Sequence, residues 1–160
     1  MRVFGDSLDK SDKIWETISL LLLITNALVV IFGLPELPDT IPIHFDMAGK
    51  ANGWGSKYTL LFIFIIMIPV YSVLSFLSSR PEFYRNRMTK NNVEEQKRLT
   101  SKMIRRLKAI VMLIFVAITV FMIQTAQGKW QDYIVFTLPF ILVLIFGHTI
   151  YYLLKLAKVQ

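Results

Sequence analysis

Four long stretches of the chain contain no Asp, Glu, Lys or Arg: residues 17–34, 58–79, 109–128 and 133–154. A helix needs about 20 apolar residues to cross a bilayer's hydrocarbon core, and backbone amides inside lipid must be paired within the segment. We therefore predict an all-α integral membrane protein with four transmembrane helices, forming a single domain over 1–160. The first helix is expected to begin near residue 14, so the predicted spans are 14–34, 58–79, 109–128 and 133–154.

The composition supports a membrane protein over a soluble one. Hydrophobic residues make up 54% of the chain and charged residues 18%, and the mean hydropathy is +0.52. A soluble domain usually carries about a quarter charged residues. Four helices of this apolar length would leave a soluble protein with too little polar surface to cover them. The chain has no cysteine, which excludes disulfides, thiolate nucleophiles and zinc–thiolate sites.

The basic residues are distributed unevenly between the two sides of the predicted spans. Fifteen of the 18 Lys and Arg residues lie in the N-terminal segment, the loop 80–108 and the C-terminal tail. The positive-inside rule then places both termini and the basic loop in the cytoplasm. The net charge of +7 is thus explained by topology, and we predict no nucleic-acid partner. Two aromatic belts agree with this orientation: Trp54, Tyr58, Trp130 and Tyr133 outside, and Trp15, Tyr151 and Tyr152 inside.

The second half of the basic loop has a helical pattern. Asn92 followed by Glu95 predicts a capping box, and apolar residues then recur on one face at Leu99, Met103 and Leu107. The third helix should therefore begin well before the membrane and continue into it. We expect the basic residues of the segment 97–108 to contact anionic lipid headgroups, with an acidic cytoplasmic partner as the alternative: Lys97, Arg98, Lys102, Arg105, Arg106 and Lys108.

The connection 35–57 between the first two helices is predicted to be an ordered extracytoplasmic loop. Ile41, Ile43 and Phe45 alternate with polar or proline positions, which indicates an extended segment with one apolar side. The pair Asn52-Gly53 is a turn signal. Long ordered loops on a rigid scaffold often carry recognition.

The run LPDTIPIHFDMAGKANGWGSK in this loop resembles a signature of SdpI-type immunity proteins. In that family, a first membrane helix leads into a similar pattern and a second helix follows at once. The matching positions are Leu37, Pro38, Ile41, Pro42, His44, Phe45, Asp46, Gly49, Asn52, Trp54, Gly55, Ser56 and Lys57. Asp46 stands where the family more often has Asn, and the family's proteins continue into further membrane helices. The resemblance covers about 70 residues. It implies a protein of the bacterial cytoplasmic (inner) membrane and immunity to a secreted peptide toxin.

The candidate ligand-binding or cap residues all lie in this loop: His44, Asp46, Asn52, Trp54 and Lys57. We expect the His44 imidazole to donate to the Asp46 carboxylate, with Trp54 covering both. Two alternatives are a nucleophilic triad with Ser56 and a metal site with Asp39 and Glu36. No G-x-S-x-G or H-E-x-x-H motif supports either, so no catalytic residue, metal ligand or cofactor is predicted.

Polar residues inside the predicted spans are the second group of candidates. They are Asn26, Gln124 and His148, which should face protein and not lipid. His148 is expected to hydrogen-bond a residue such as Ser75, Ser78 or Asn26. Glu16, at the inner boundary, is expected to pair with Lys13 or Lys108.

The leading functional hypothesis is a non-enzymatic, SdpI-like protein that gives immunity to, or senses, an extracytoplasmic peptide or lipid-associated ligand. Two hypotheses from other classes stay open. One is a small oligomeric transporter in which Asn26 and His148 line a polar route. The other is a membrane enzyme that uses His44 and Asp46. Homo-oligomer formation is compatible with each of them.

Overall fold

The computed structural model describes residues 8–46, 50–81, 83, 92–129 and 134–159, with the side chains of α4 from residue 140 onward. Trp130, Tyr133 and Gly49, named above, lie outside the described residues. Four helices in this part of the chain are long and apolar enough to cross a membrane, which confirms the predicted all-α, four-span architecture. The elements are α1 (Lys10–Gly33), a 3-10 turn (Leu34–Glu36), β1 (Thr40–Phe45), β2 (Ala51–Ser56), α2 (Thr59–Ser79), α3 (Val93–Ala126) and α4 (Ile134–Ala157).

Helix α3 is the central element of the bundle. The other three helices and β1 all pack against it, whereas α1 and α2 contact each other over a much smaller area. Its 34 residues extend about 51 Å at 1.5 Å per residue, more than a bilayer core requires. The helix begins 16 residues before the uncharged run at residue 109, as the periodicity predicted.

The start of α3 differs from the predicted capping box. Asn92 has a left-handed backbone, with φ of 57°, and its side chain makes no capping hydrogen bond. An N-cap residue needs an extended backbone to turn its side chain onto the first amides, so the capping box is wrong. Glu95 instead accepts a 3.0 Å hydrogen bond from Arg98 one turn later. By contrast, α1 is capped by Asp9, whose carboxylate accepts from the Asp12 amide at 2.8 Å.

The bundle has two unlike ends. The first, here called the charged end, contains the starts of α1 and α3 and the ends of α2 and α4. There Glu16 of α1 meets Lys108 of α3. The second, the hairpin end, carries β1 and β2, and has an apolar core that joins the strands to the helices: Val30, Leu37, Ile41, Leu60, Met122 and Ile123.

The two strands form an antiparallel hairpin, with Thr40 opposite Ser56 and Pro42 opposite Trp54. The predicted extended segment is therefore correct for β1. The second strand was not predicted, because Asn52-Gly53 was interpreted as a turn, whereas both residues lie in β2. Gly53 allows β2 to lie close to β1, because a Cβ at this position would be only 2.8 Å from the His44 Cβ.

Gly55, two residues farther along β2, has a similar position. A Cβ at Gly55 would lie 2.6 Å from Cδ1 of Ile43, the flexible end of a side chain that is 40% exposed. The two glycines thus let β2 lie close to β1, and the chain reverses between Asp46 and Lys50 instead.

Candidate functional site

The hairpin is fixed to the bundle by its buried side. Phe45 of β1 packs edge-on against Phe121 of α3, with ring centres 4.9 Å apart. Ile41 and Pro42 are fully buried. Aromatic pairs in this geometry stabilise packing beyond their buried area. The hairpin is therefore a rigid extension of α3 and not a free loop.

Lys57 closes the base of the hairpin. Its ammonium donates to the Leu37 carbonyl at 3.2 Å and lies 3.1 Å from the Asp39 carboxylate. The Lys57 amide also donates to the Asp39 carbonyl at 3.0 Å. With 16% of its side chain exposed, this predicted site residue ties the two strand ends together and is poorly placed to reach a ligand.

The exposed side of the hairpin carries the other candidates. His44 Nδ1 and Asn52 Oδ1 lie 2.5 Å apart across the two strands. The Asp46 carboxylate accepts from the Lys50 amide at 2.9 Å, as in a tight turn. Trp54 is 62% exposed. The expected His44–Asp46 pair is therefore wrong: a register irregularity on either side of His44 turns the imidazole toward the neighbouring strand.

The His44–Asn52 pair defines the chemistry that this surface offers. Because the amide oxygen accepts, Nδ1 is the donor, and in a neutral ring Nε2 has a lone pair for a partner's N–H or O–H group. Beside it, the Trp54 indole offers apolar area and one donor. Within the described residues, no group of three or more His, Asp or Glu side chains is arranged to hold a metal ion.

The charged end contains a cluster of two acids and two bases, in which Asp12, Arg105 and Lys108 are buried and Glu16 is partly exposed. Lys108 is fully buried. Its ammonium donates to the Glu16 carboxylate at 2.6 Å and to the Ser75 hydroxyl at 2.8 Å, and lies 4.7 Å from the centre of the Tyr71 ring. The predicted pairing of Glu16 with Lys108 is thus confirmed, and it links α1, α2 and α3.

Arg105 completes the cluster. Its guanidinium lies 3.5 Å from Asp12 and 3.4 Å from Glu16, and donates to the Ser78 carbonyl at 3.3 Å. Sequence reasoning did not identify Asp12 and Arg105 as members of an ion cluster. The available signal was spacing, because Asp12 precedes Glu16 by one helical turn and Arg105 precedes Lys108 by one turn. Arg105 and Lys108 are buried, which argues against headgroup contact at these two positions; for the other basic residues of the segment 97–108 it stays a prediction.

A cleft of about 600 Å³ opens beside this cluster at the charged end. Four acids and three bases line it, and each of the bases is ion-paired with an acid: Lys97 with Glu94, Arg98 with Glu95, and Arg105 with Asp12. At its rim, a hydrogen bond from Lys102 lowers the pKa of the Asp9 carboxyl below its usual value. The described residues that line the cleft therefore offer no unpaired charge to a ligand.

The intramembrane candidates are distributed through the bundle. Asn26 is fully buried, and its side-chain nitrogen donates to the Met67 sulfur at 3.0 Å. Gln124 is half-buried near the hairpin end of α3. His148 packs against Tyr152 with ring centres 5.0 Å apart.

Four buried side-chain atoms lack a hydrogen-bond partner in the described part of the chain: Asn26 Oδ1, Thr119 Oγ1 and both ring nitrogens of His148. The predicted bond from His148 to Ser75, Ser78 or Asn26 is wrong. Ser75 accepts from Lys108, and Ser78 donates to the Ser75 carbonyl at 3.0 Å. The buried ion cluster therefore uses the serines that were assigned to His148.

Comparison with known proteins gives one family match. Residues 20–68 match a family model described as a domain of unknown function (DUF1648). The match covers the second half of α1, the hairpin and the first half of α2. None of the curated proteins matches the chain, and neither does any solved structure.

Proposed function

We propose that the chain is a non-enzymatic recognition protein of the bacterial cytoplasmic membrane, and that its hairpin binds an extracytoplasmic peptide or lipid-associated ligand. Immunity to a membrane-active peptide, or sensing of one, is the corresponding function. The proposal rests on the contrast between the two sides of the hairpin. One side is anchored to α3, while the other presents Trp54 and the His44–Asn52 pair to solvent.

Physical chemistry favours recognition on such a surface. A rigid scaffold loses little entropy on binding, and an exposed tryptophan beside polar groups is typical of binding hot spots. The family match over 20–68 covers this hairpin and is compatible with the resemblance to SdpI-type proteins. The hairpin end carries three of the 18 Lys and Arg residues, which supports an outward orientation.

The test is protection of a susceptible bacterial strain. Cells that express the chain should survive a panel of membrane-active peptides better than cells with an empty vector. Trp54→Ala and His44→Ala should remove protection while leaving expression and helix content unchanged. Thr40→Ala is the matched control, because Thr40 is exposed on the same hairpin away from these groups. Unchanged killing curves over the whole panel would refute the proposal.

A second candidate is transport of a small solute or of protons. It is favoured by the buried polar atoms of Asn26, Thr119 and His148 that lack partners in the described part of the chain, since buried polar atoms without partners can mark a route for water or ions. The measurement is flux in proteoliposomes, which should be lost with His148→Ala. Flux in the absence of any peptide protection would place this candidate first.

A further inference from the structure

Arg106 differs from the other basic residues of the segment 97–108. The other five each lie within ion-pair distance of a carboxylate: Lys97 and Glu94, Arg98 and Glu95, Lys102 and Asp9, Arg105 and Asp12, Lys108 and Glu16. Among the described residues, Arg106 has no such partner, and its hydrogen bond is a 3.4 Å contact to the Ser11 hydroxyl. A half-buried cation at the end of a membrane span is thus left without a counter-charge among the described residues.

Two aromatic rings hold this guanidinium in place. Its central carbon lies 5.6 Å from the Trp15 ring of α1 and 5.4 Å from the Tyr152 ring of α4. Contacts over ring faces fix the plane of a guanidinium and leave the N–H groups along its edge able to donate. Arg106 is therefore oriented between α1 and α4 with donor capacity remaining.

A second cation extends the same arrangement on α4. The Lys155 ammonium lies 4.8 Å from the Tyr151 ring, and Tyr151 packs edge-on against Tyr152 at 5.2 Å. Lys155 also has no carboxylate within ion-pair distance in the described ranges. The result is a row of three aromatic rings and two cations, in the order Trp15, Arg106, Tyr152, Tyr151 and Lys155.

The row lies at the edge of the hydrocarbon region. The uncharged run of α1 begins at Thr17, and that of α4 ends at Leu154. Trp and Tyr concentrate at this depth, where lipid phosphates also lie. Helices α1 and α4 both pack on α3 and make few or no direct contacts with each other.

We propose that Arg106 binds the phosphate group of an anionic phospholipid whose acyl chains lie along α3 between α1 and α4, and that Lys155 adds positive charge beside the site. A phosphate accepts the two parallel hydrogen bonds that a guanidinium edge donates, and such charge-assisted bonds are the strong ones. The lipid supplies the counter-charge that Arg106 lacks within the described residues. This site lies at the opposite end of the bundle from the hairpin and does not depend on the proposed function.

The test is lipid binding to the purified full chain in detergent, measured by native mass spectrometry. The first bound dioleoylphosphatidylglycerol should bind at least about fivefold more tightly than dioleoylphosphatidylcholine, the preference expected from one basic residue near the membrane surface. Arg106→Gln should bring this ratio close to one, and Lys155→Gln should lower it in part. Arg98→Gln is the matched control, since it removes the same charge from the same helix two turns earlier.

Other outcomes would overturn the proposal. Equal loss in Arg106→Gln and Arg98→Gln would show general surface electrostatics, and a wild-type ratio near one would show that there is no site. Displacement of the lipid by millimolar glycerol phosphate, with equal binding of glycerol phosphate alone, would identify a free-phosphate site instead. Circular dichroism must show unchanged helix content in each variant. If Arg106→Gln fails to fold, the same binding ratio is measured in Lys155→Gln and Arg106→Lys and tests the proposal in its place. Lys155 is exposed, so it can be changed without disturbing the core.

Discussion

The ion pair between the fully buried Lys108 and the partly exposed Glu16 predicts different effects for changes at its two partners. Glu16→Ala leaves the Lys108 ammonium fully buried, with the Ser75 hydroxyl as its remaining hydrogen-bond partner. Removing one member of a buried pair strands the other charge, at a cost of about 3–5 kcal/mol. We therefore expect Glu16→Ala to lower the free energy of unfolding by that amount.

The reverse change should be much milder. In Lys108→Met, the carboxylate of Glu16 still lies 3.4 Å from Arg105, and 28% of the Glu16 side chain remains in contact with solvent. Methionine fills a space similar to that of the lysine stem. The expected loss is below about 2 kcal/mol. The double variant should be more stable than Glu16→Ala alone, because it no longer contains a stranded ammonium.

The measurement is reversible unfolding in mixed micelles, with increasing sodium dodecyl sulfate and circular dichroism as the readout. Glu94→Ala is the control, because its ion pair with Lys97 is largely exposed on the Glu94 side and should contribute less than about 1 kcal/mol. Equal losses in the two single variants that add in the double variant would contradict the reasoning. So would a loss in Glu16→Ala no larger than in Glu94→Ala.

Three further predictions concern the hairpin, pH and topology. Gly53→Ala should destabilise the protein more than Gly55→Ala, measured by thermal unfolding, because its new Cβ meets another Cβ and not a flexible side-chain end. The lowered pKa of Asp9 stabilises the fold at pH values above 3.8 and ceases to do so as pH falls through the lowered value. Asp9→Asn, which keeps a good N-cap, should abolish that part of the acid sensitivity, and an unchanged pH profile would refute this. In intact cells, an impermeant thiol reagent should label Ser56→Cys and not Lys158→Cys, and the opposite pattern would invert the orientation.

The helices were predictable because lipid imposes a strict rule on them. An uncharged run such as 58–79 has no alternative to a helix once it is in hydrocarbon, and the structure gives Thr59–Ser79. The early start of α3 was predictable for a similar reason, since its apolar period continues unbroken into the span.

The contacts of the candidate sites were harder to predict, because they depend on register between elements. Nothing in the order of residues shows that an irregularity in β1 turns His44 toward Asn52. The segment 51–56 contains two glycines, which in isolation favour a turn over a strand. The cluster at the charged end likewise requires the relative positions of α1, α2 and α3 along their axes. Local patterns carry none of that information.

The central position of α3 has a consequence for how the chain is made. During synthesis α1, the hairpin and α2 leave the ribosome before α3 exists, so Glu16 reaches the membrane before its partner Lys108. The hairpin likewise waits for Phe121, the ring on which Phe45 packs. The segment 20–68 matched by the family model contains Phe45 but not its partner Phe121. That segment needs a later helix before it can complete its own assembly.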